Sequence, residues 1–384
     1  MPSNELEKIP PNEEAGIDSV AALTVKLLER RYAAEPRVLR GVHPKDHGCV
    51  EALFTVAKTL APEHRVGVFQ QPGQRFRAAI RFSNAAPLVM PDTPPVMQGG
   101  KPVIGPDGKP MLGHDSRGMA IKLYDVSGPR LLPDDGERTQ DFLMINQPVF
   151  AFANVEDYEA LNQVIFRDKE VPDAFFQRMA STDKKISDRA KATRAIVGQI
   201  KSLTFPPSFQ APPMSPLDNS YFGAAPFLFG EGRAMKFCAV PVNPATGAPG
   251  DVSERDYLRA AMLKRMSEAK GKDICFDFKI QVRTAAQLAD RIETEIEDVC
   301  TLWNDPFVTV ARITIPAQVF DAPERREFCE KLVYTPWHGL EAHRPLGGIN
   351  RLRKKVYEAS ANHRGCPVSP QLPGPLRKGV TPSR

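Results

Sequence analysis

RKKVYEASANHR, residues 353–364, sets Arg353, Tyr357, Ser360 and Arg364 at steps of four, three and four. On a helix such steps return to one face, so an arginine, a phenol, a hydroxyl and a second arginine look in the same direction. A packing face seldom combines these groups. A phenol ordinarily ionises at about pH 10, and a neighbouring guanidinium favours the phenolate because positive charge stabilises the anion. Tyrosinate is one of the axial ligands that proteins offer to haem iron. Taken alone, a basic surface helix is the plainer reading, since Arg351, Lys354 and Lys355 flank the same residues.

Three upstream matches change that balance, the last of them joining two stretches. RVLRGVHPKDHGCVEALFTV (37–56) places Arg40 three residues before His43 and runs on into an apolar strand pattern. RFRAAIRFSNAAP (75–87) alternates polar and apolar residues, the period of a strand with one buried face, and carries Arg81 and Ser83. DSRGMAIKLYD (115–125) and DFLMINQPVF (141–150) read as two further strands, the second bearing Asn146 and Phe150.

Together these segments resemble the haem catalases. The resemblance covers residues 36–365 and is specific in these four matches, the one at 353–364 included. TPWHGLEAHRPLGGINR (335–351) is closer to short, divergent catalase-like proteins than to the large enzymes. It implies an α+β fold: an eight-stranded antiparallel β-barrel with surrounding helices, and haem b (iron protoporphyrin IX) between barrel and helices. Tyr357 would then be the iron ligand and Arg353 the partner of its oxygen, while Arg40, Arg81 and Arg364 would meet the two haem carboxylates. Planar guanidinium forks suit carboxylates bidentately. His43 would shuttle the peroxide proton, Ser83 would orient the imidazole, and Phe150 would stack on the haem. His47 is the lesser candidate, because the family has a small residue there.

Two positions depart from the family pattern. Glu358 stands where a proline usually follows the tyrosine. Asn146 lies two residues before Pro148 rather than three, so Ile145 occupies the expected slot of the distal amide. Either Asn146 swings in, or the amide is absent and turnover is weakened. The implied function is a catalase or peroxidase acting on hydrogen peroxide or organic hydroperoxides, with a small organic reductant as one partner. A fatty-acid hydroperoxide isomerase or lyase of the allene oxide synthase type is the alternative enzyme, against which Val42 argues because a threonine commonly precedes the histidine there. A haem-binding protein without turnover is the non-enzyme alternative.

Composition fits this reading without requiring it. The chain has 384 residues, 42% hydrophobic and 25% charged, enough for one large or two moderate domains. Its net charge of +5 is spread among acidic residues, and no nucleic-acid-binding motif occurs. Six cysteines at 49, 238, 275, 300, 329 and 366 lack CxxC spacing and read as reduced thiols of a cytosolic protein. Neither a signal-peptide core nor a membrane-length apolar run is present, so a soluble cytoplasmic enzyme is expected; a homo-oligomer, dimer or tetramer, is compatible with it.

Residues 1–15 are expected to be disordered, 16–365 to form the haem domain, and 366–384 to be a proline-rich basic tail. Periodicity predicts helices at 17–31, 155–164, 185–203, 253–268 and 324–331. It predicts strands at 50–57, 75–83, 119–124, 142–150, 220–229, 234–241, 275–282 and 307–315, with GEGR (230–233) closing a hairpin. Only a short chain follows Tyr357, so no nicotinamide site is expected.

Overall fold

A computed structural model describes residues 6–85, 88–98, 101–113, 116–132, 138–150, 152–167, 213–269 and 271–372. Eight strands close an antiparallel barrel: β1 (Asp46–Val56), β2 (Arg75–Asn84), β5 (Arg117–Leu123), β6 (Gln140–Ile145), β7 (Tyr221–Leu228), β8 (Arg233–Pro241), β9 (Ile274–Thr284) and β10 (Val308–Ile315). Around the ring the order is β1, β10, β9, β8, β7, β6, β5, β2 and back to β1. A two-stranded ribbon, β3 (Met97–Gln98) and β4 (Lys101–Pro102), lies outside the ring.

Strict alternation explains why the ring closes. In β2, Phe76, Ala78, Ile80 and Phe82 enter the core while Arg75, Arg77, Arg81 and Ser83 take the other face. Register pairs Phe82 with Met119 and Ser83 with Gly118, so β5 continues both faces in step. Phe54, Phe69, Phe142, Phe237 and Phe278 fill the interior, with the Phe142 and Phe278 ring centroids 4.8 Å apart. Such a barrel is just wide enough to be filled by side chains. Gly223 makes room for one of them: a Cβ there would lie 2.4 Å from the Phe237 ring. The expected hairpin forms between β7 and β8, with Gly230 and Gly232 at φ 70° and 64°.

Helices α1 (Glu13–Arg31), α2 (Val155–Arg167) and α6 (Gly348–His363) pack together through Ile17, Val20, Val155, Leu352 and Val356. Between α2 and α6 come α3 (Tyr257–Glu268), the short α4 (Ala285–Leu288) and α5 (Pro323–Lys331). The helix expected at 185–203 lies outside the described residues.

The expected disorder of residues 1–15 is corrected from Leu6 onward. Leu6 is buried, the Glu7 carboxylate accepts from the Gly347 amide at 3.0 Å, and α1 already begins at Glu13. The cause is Arg351, which gathers Glu7, Glu13 and Glu297 around one guanidinium. Burial acts to lower this guanidinium's pKa, yet the hydrogen bonds and charges of Glu13 and Glu297 hold it above its ordinary value. The tail also starts docked, for Ser369 Oγ donates to Val333 O and accepts from Val333 N, both at 2.9 Å. Strand β6 ends at Ile145 rather than at 150, where Pro148 removes a ladder donor. All six cysteines are free thiols.

Candidate functional site

The outer face of β2 and β5 carries the first wall of the site. His43, in the loop before β1, takes φ 55°, a left-handed conformation uncommon for residues other than glycine. Arg81 holds it there, with Nη2 donating to the carbonyls of His43 at 2.9 Å and Pro44 at 3.4 Å. The imidazole then rests on Ser83, whose Oγ is 3.0 Å from Nδ1. When Nδ1 carries the proton, it donates to Ser83 Oγ and leaves Nε2 as a base. Gly118 clears the space, since a Cβ there would come within 2.6 Å of His43 Nδ1 and 2.8 Å of Ser83 Oγ. Burial first, and then the charges of Arg81, Arg353 and Arg40, depress the His43 pKa to about 3. The ring is neutral at physiological pH.

Helix α6 carries the second group of candidate residues. Arg353 Nε donates to Tyr357 Oη at 3.3 Å, one turn along the helix. Asn350 steadies this guanidinium by accepting from Nη1 at 3.1 Å. Its Cζ lies 5.3 Å from the Tyr357 ring centroid and 5.9 Å from that of Phe150, so all three share one patch. Phe150 is fixed by its amide, which donates to Val299 O at 3.1 Å. Burial, and next the neighbouring Tyr357 phenol, raise the pKa of Tyr158, which stands beside this patch. The charge of Arg353 acts on His43, so the two groups lie within electrostatic reach of each other.

Two of the three arginines expected to act together, Arg40 and Arg364, meet on a carboxylate that the sequence reading missed, and Arg81 lies within electrostatic reach of both. Arg40 Nη1 donates to Glu330 Oε2 at 2.8 Å, and Arg364 Nη1 to Glu330 Oε1 at 3.0 Å. Arg40 Nη2 also caps the end of α5 through the carbonyls of Cys329 and Leu332 at 3.1 and 2.5 Å. Burial and the charge of Arg40 lower the Arg364 pKa to about 10, so a single carboxylate under-compensates the cluster. Among the described residues, Arg81 Nε and Arg364 Nε are buried without an acceptor. Glu330 sits in PERREFCEK, a helix that reads as solvated surface from its charges.

Asn146 is not brought to the His43 face by the strand register. Ser83 pairs with Gly118 and Gly118 with Ile145, so Ile145 shares that face. Asn146 stands one step beyond and accepts from the Arg117 amide through Oδ1 at 2.7 Å. His47 lies apart as well. Its Nε2 donates to Asn84 Oδ1 at 2.8 Å in a buried network that includes Asp92 and Arg117. This network went unseen because Asn84 and Arg117 are polar residues on the inward parity of their strands, where periodicity leads one to expect apolar groups.

Among solved structures the architecture is similar to that of catalases. A fungal catalase superposes with a TM-score of 0.60 at 14% identity, over 88% of this chain and 62% of its own length. Catalase A from Saccharomyces cerevisiae gives 0.62 at 13% identity, over 88% and 63%. A bacterial catalase gives 0.59 at 16% identity, over 94% and 66%. The chain spans less than two thirds of the length of each. No family model matches the sequence, and no curated protein does either. The fold is that of the catalases, a closed eight-stranded antiparallel barrel with helices packed outside it, reached at an identity where architecture alone carries over.

Proposed function

We propose that this chain is a haem-dependent oxidoreductase that uses hydrogen peroxide or organic hydroperoxides. The observation that carries the reading is a pair of oriented groups within electrostatic reach of each other: His43 on Ser83 at 3.0 Å and Arg353 on Tyr357 at 3.3 Å. Fit to a porphyrin is supported by the two buried guanidinium Nε donors of Arg81 and Arg364, which lack acceptors that ligand carboxylates would supply. Tyr357 would hold the iron, Arg353 would position the phenol oxygen, and Arg40, Arg81 and Arg364 would take the carboxylates. Phe150 offers its ring to the flat face. Haem, when bound, supplies the redox chemistry toward the O–O bond.

The work left to the protein is proton movement and orientation. His43 Nε2, neutral because burial and three guanidiniums disfavour the cation, accepts the proton of the near peroxide oxygen and returns it to the far one. Ser83 fixes the ring by its contact with Nδ1, which leaves Nε2 free for the proton. Beside it, Ile145 offers no donor to the developing charge, which favours modest turnover and gives weight to a second reading, haem binding without turnover. Peroxide, lipid hydroperoxide and an organic reductant are the expected small-molecule partners. No described helix is long and apolar enough to cross a membrane.

Absorption spectra of protein loaded with haemin test the ligand assignment. A tyrosinate-type ferric spectrum is expected, and Tyr357→Phe should abolish it. An unchanged spectrum in that variant would refute the assignment. Oxygen evolution from hydrogen peroxide separates the enzyme readings: an isomerase would convert lipid hydroperoxides and evolve almost none, and a ferric spectrum indifferent to every peroxide would favour binding alone.

A further inference from the structure

Three guanidiniums and one carboxylate make an unbalanced cluster, and the carboxylate already occupies the donors that a porphyrin would need. Glu330 bridges Arg40 and Arg364 with one oxygen to each, at 2.8 and 3.0 Å. Its side chain is 13% exposed, that of Arg40 12% and that of Arg364 4%, so these ion pairs are largely shielded from water. Arg81, by contrast, spends Nη2 on two backbone carbonyls and makes no ion pair among the described residues. A second anion entering here meets two opposite influences. It is attracted by the surplus guanidinium charge and repelled by the Glu330 carboxylate, whose partners it must share or displace.

We propose that Glu330 is a specificity-setting residue, a carboxylate of the chain's own that competes with the carboxylates of an incoming porphyrin for Arg40 and Arg364. The inference rests on the haem reading of the same site and adds a residue and a sign to it. Glu330 lowers affinity for the dianionic cofactor and leaves affinity for its uncharged ester untouched. Helix α5 thereby becomes the element that sets how tightly the cofactor is held, because Arg40 also binds the carbonyls at its end.

The experiment is a titration of the full chain with haemin and with haemin dimethyl ester, read by absorbance, in wild type, Glu330→Gln and Glu330→Asp. The amide of Glu330→Gln keeps the shape and removes the charge. Haemin should then bind about tenfold more tightly, a change equivalent to about 1.4 kcal/mol, while ester binding stays constant. Glu330→Asp retains the charge that folding needs but is one methylene too short to bridge both arginines, so it should bind haemin with intermediate affinity. Melting temperatures without haemin show whether each variant is folded; if the glutamine variant fails to fold, the aspartate variant decides. Haemin affinity equal to or weaker than wild type, or equal tightening of haemin and ester, would overturn the proposal. Failure of wild type to bind haemin through Tyr357 would instead remove the haem reading itself.

Discussion

Only three residues separate His43 from His47, yet the two histidines live on opposite sides of the barrel wall. His43 precedes β1, rests on the outward Ser83 and is half-buried; His47 lies within β1, bonds the inward Asn84 and is wholly buried. Burial leads the causes that lower both pKa values. What separates them is whom they face. His43 lies in the field of Arg81, Arg353 and Arg40, whereas His47 belongs to a buried polar network with Asn84, Asp92 and Arg117. Period-two alternation along β2 makes the division, since Ser83 and Asn84 are neighbours in sequence and belong to different regions.

Replacing His43 should therefore damage chemistry and spare the fold. In His43→Gln, peroxide turnover by haemin-loaded protein is expected to fall by about 10²- to 10⁴-fold, the usual worth of a positioned proton carrier, with the melting temperature unchanged near neutral pH. Equal loss of turnover and stability would erase the contrast between the two sides. The inward network should respond the other way. Arg117→Met removes a fully buried guanidinium whose Nη2 donates to Asp92 O at 2.5 Å and whose Nη1 donates to Asn84. Urea unfolding should show about 3 kcal/mol of lost stability. Haemin-loaded variant that remains folded should keep most of its turnover.

Acid should act through both sides at once. Each ring is neutral in the folded chain, and His43 stays so down to about pH 3, whereas an unfolded histidine takes up its proton near pH 6.5. Below about pH 6.5 the unfolded chain therefore binds more protons, and stability falls as pH falls toward the folded value. Chemical denaturation between pH 7 and 4 should show that decline, and His43→Gln should show a shallower one by the share of a single proton. A decline of equal slope in both would mean that His43 is not held neutral. Turnover should keep its full base form to about pH 4, without an acid limb near 6.5.

The barrel was legible because β1, β2, β5 and β6 keep apolar residues on one parity, and the arginines because they sit at spacings that a known resemblance supplies. Glu330 was not. Its helix is charged along its length, and only the approach of Arg40 and Arg364, 290 and 34 residues away, converts one surface glutamate into a buried partner. Residues 6–12 misled for a related reason: their acidity reads as solvated until Arg351 gathers Glu7 with Glu13 and Glu297. Long-range charge pairing has no periodicity to betray it. The described part of the tail repeats the lesson, since Ser369 is held by both backbone groups of Val333.

Asn146 gives the finest test of the division, because sequence spacing leaves its side open. Were it the donor that orients peroxide, Asn146→Ala would cost turnover on the scale of a lost oxyanion-type hydrogen bond, about 10²-fold or more. The register speaks against that role, for Ile145 shares the face of Gly118 and Ser83, and the Asn146 carbonyl oxygen is spent on the Arg117 amide at 2.7 Å. Losing that bond leaves a buried amide without its acceptor, so the expected effect is structural: about 1 kcal/mol in urea unfolding, with turnover per folded molecule changed by less than about threefold. The complementary variant, Ile145→Asn, puts an amide on the face where His43 stands. A rise in oxygen evolution there, with none from restoring position 146, would assign the missing donor to the residue three before Pro148.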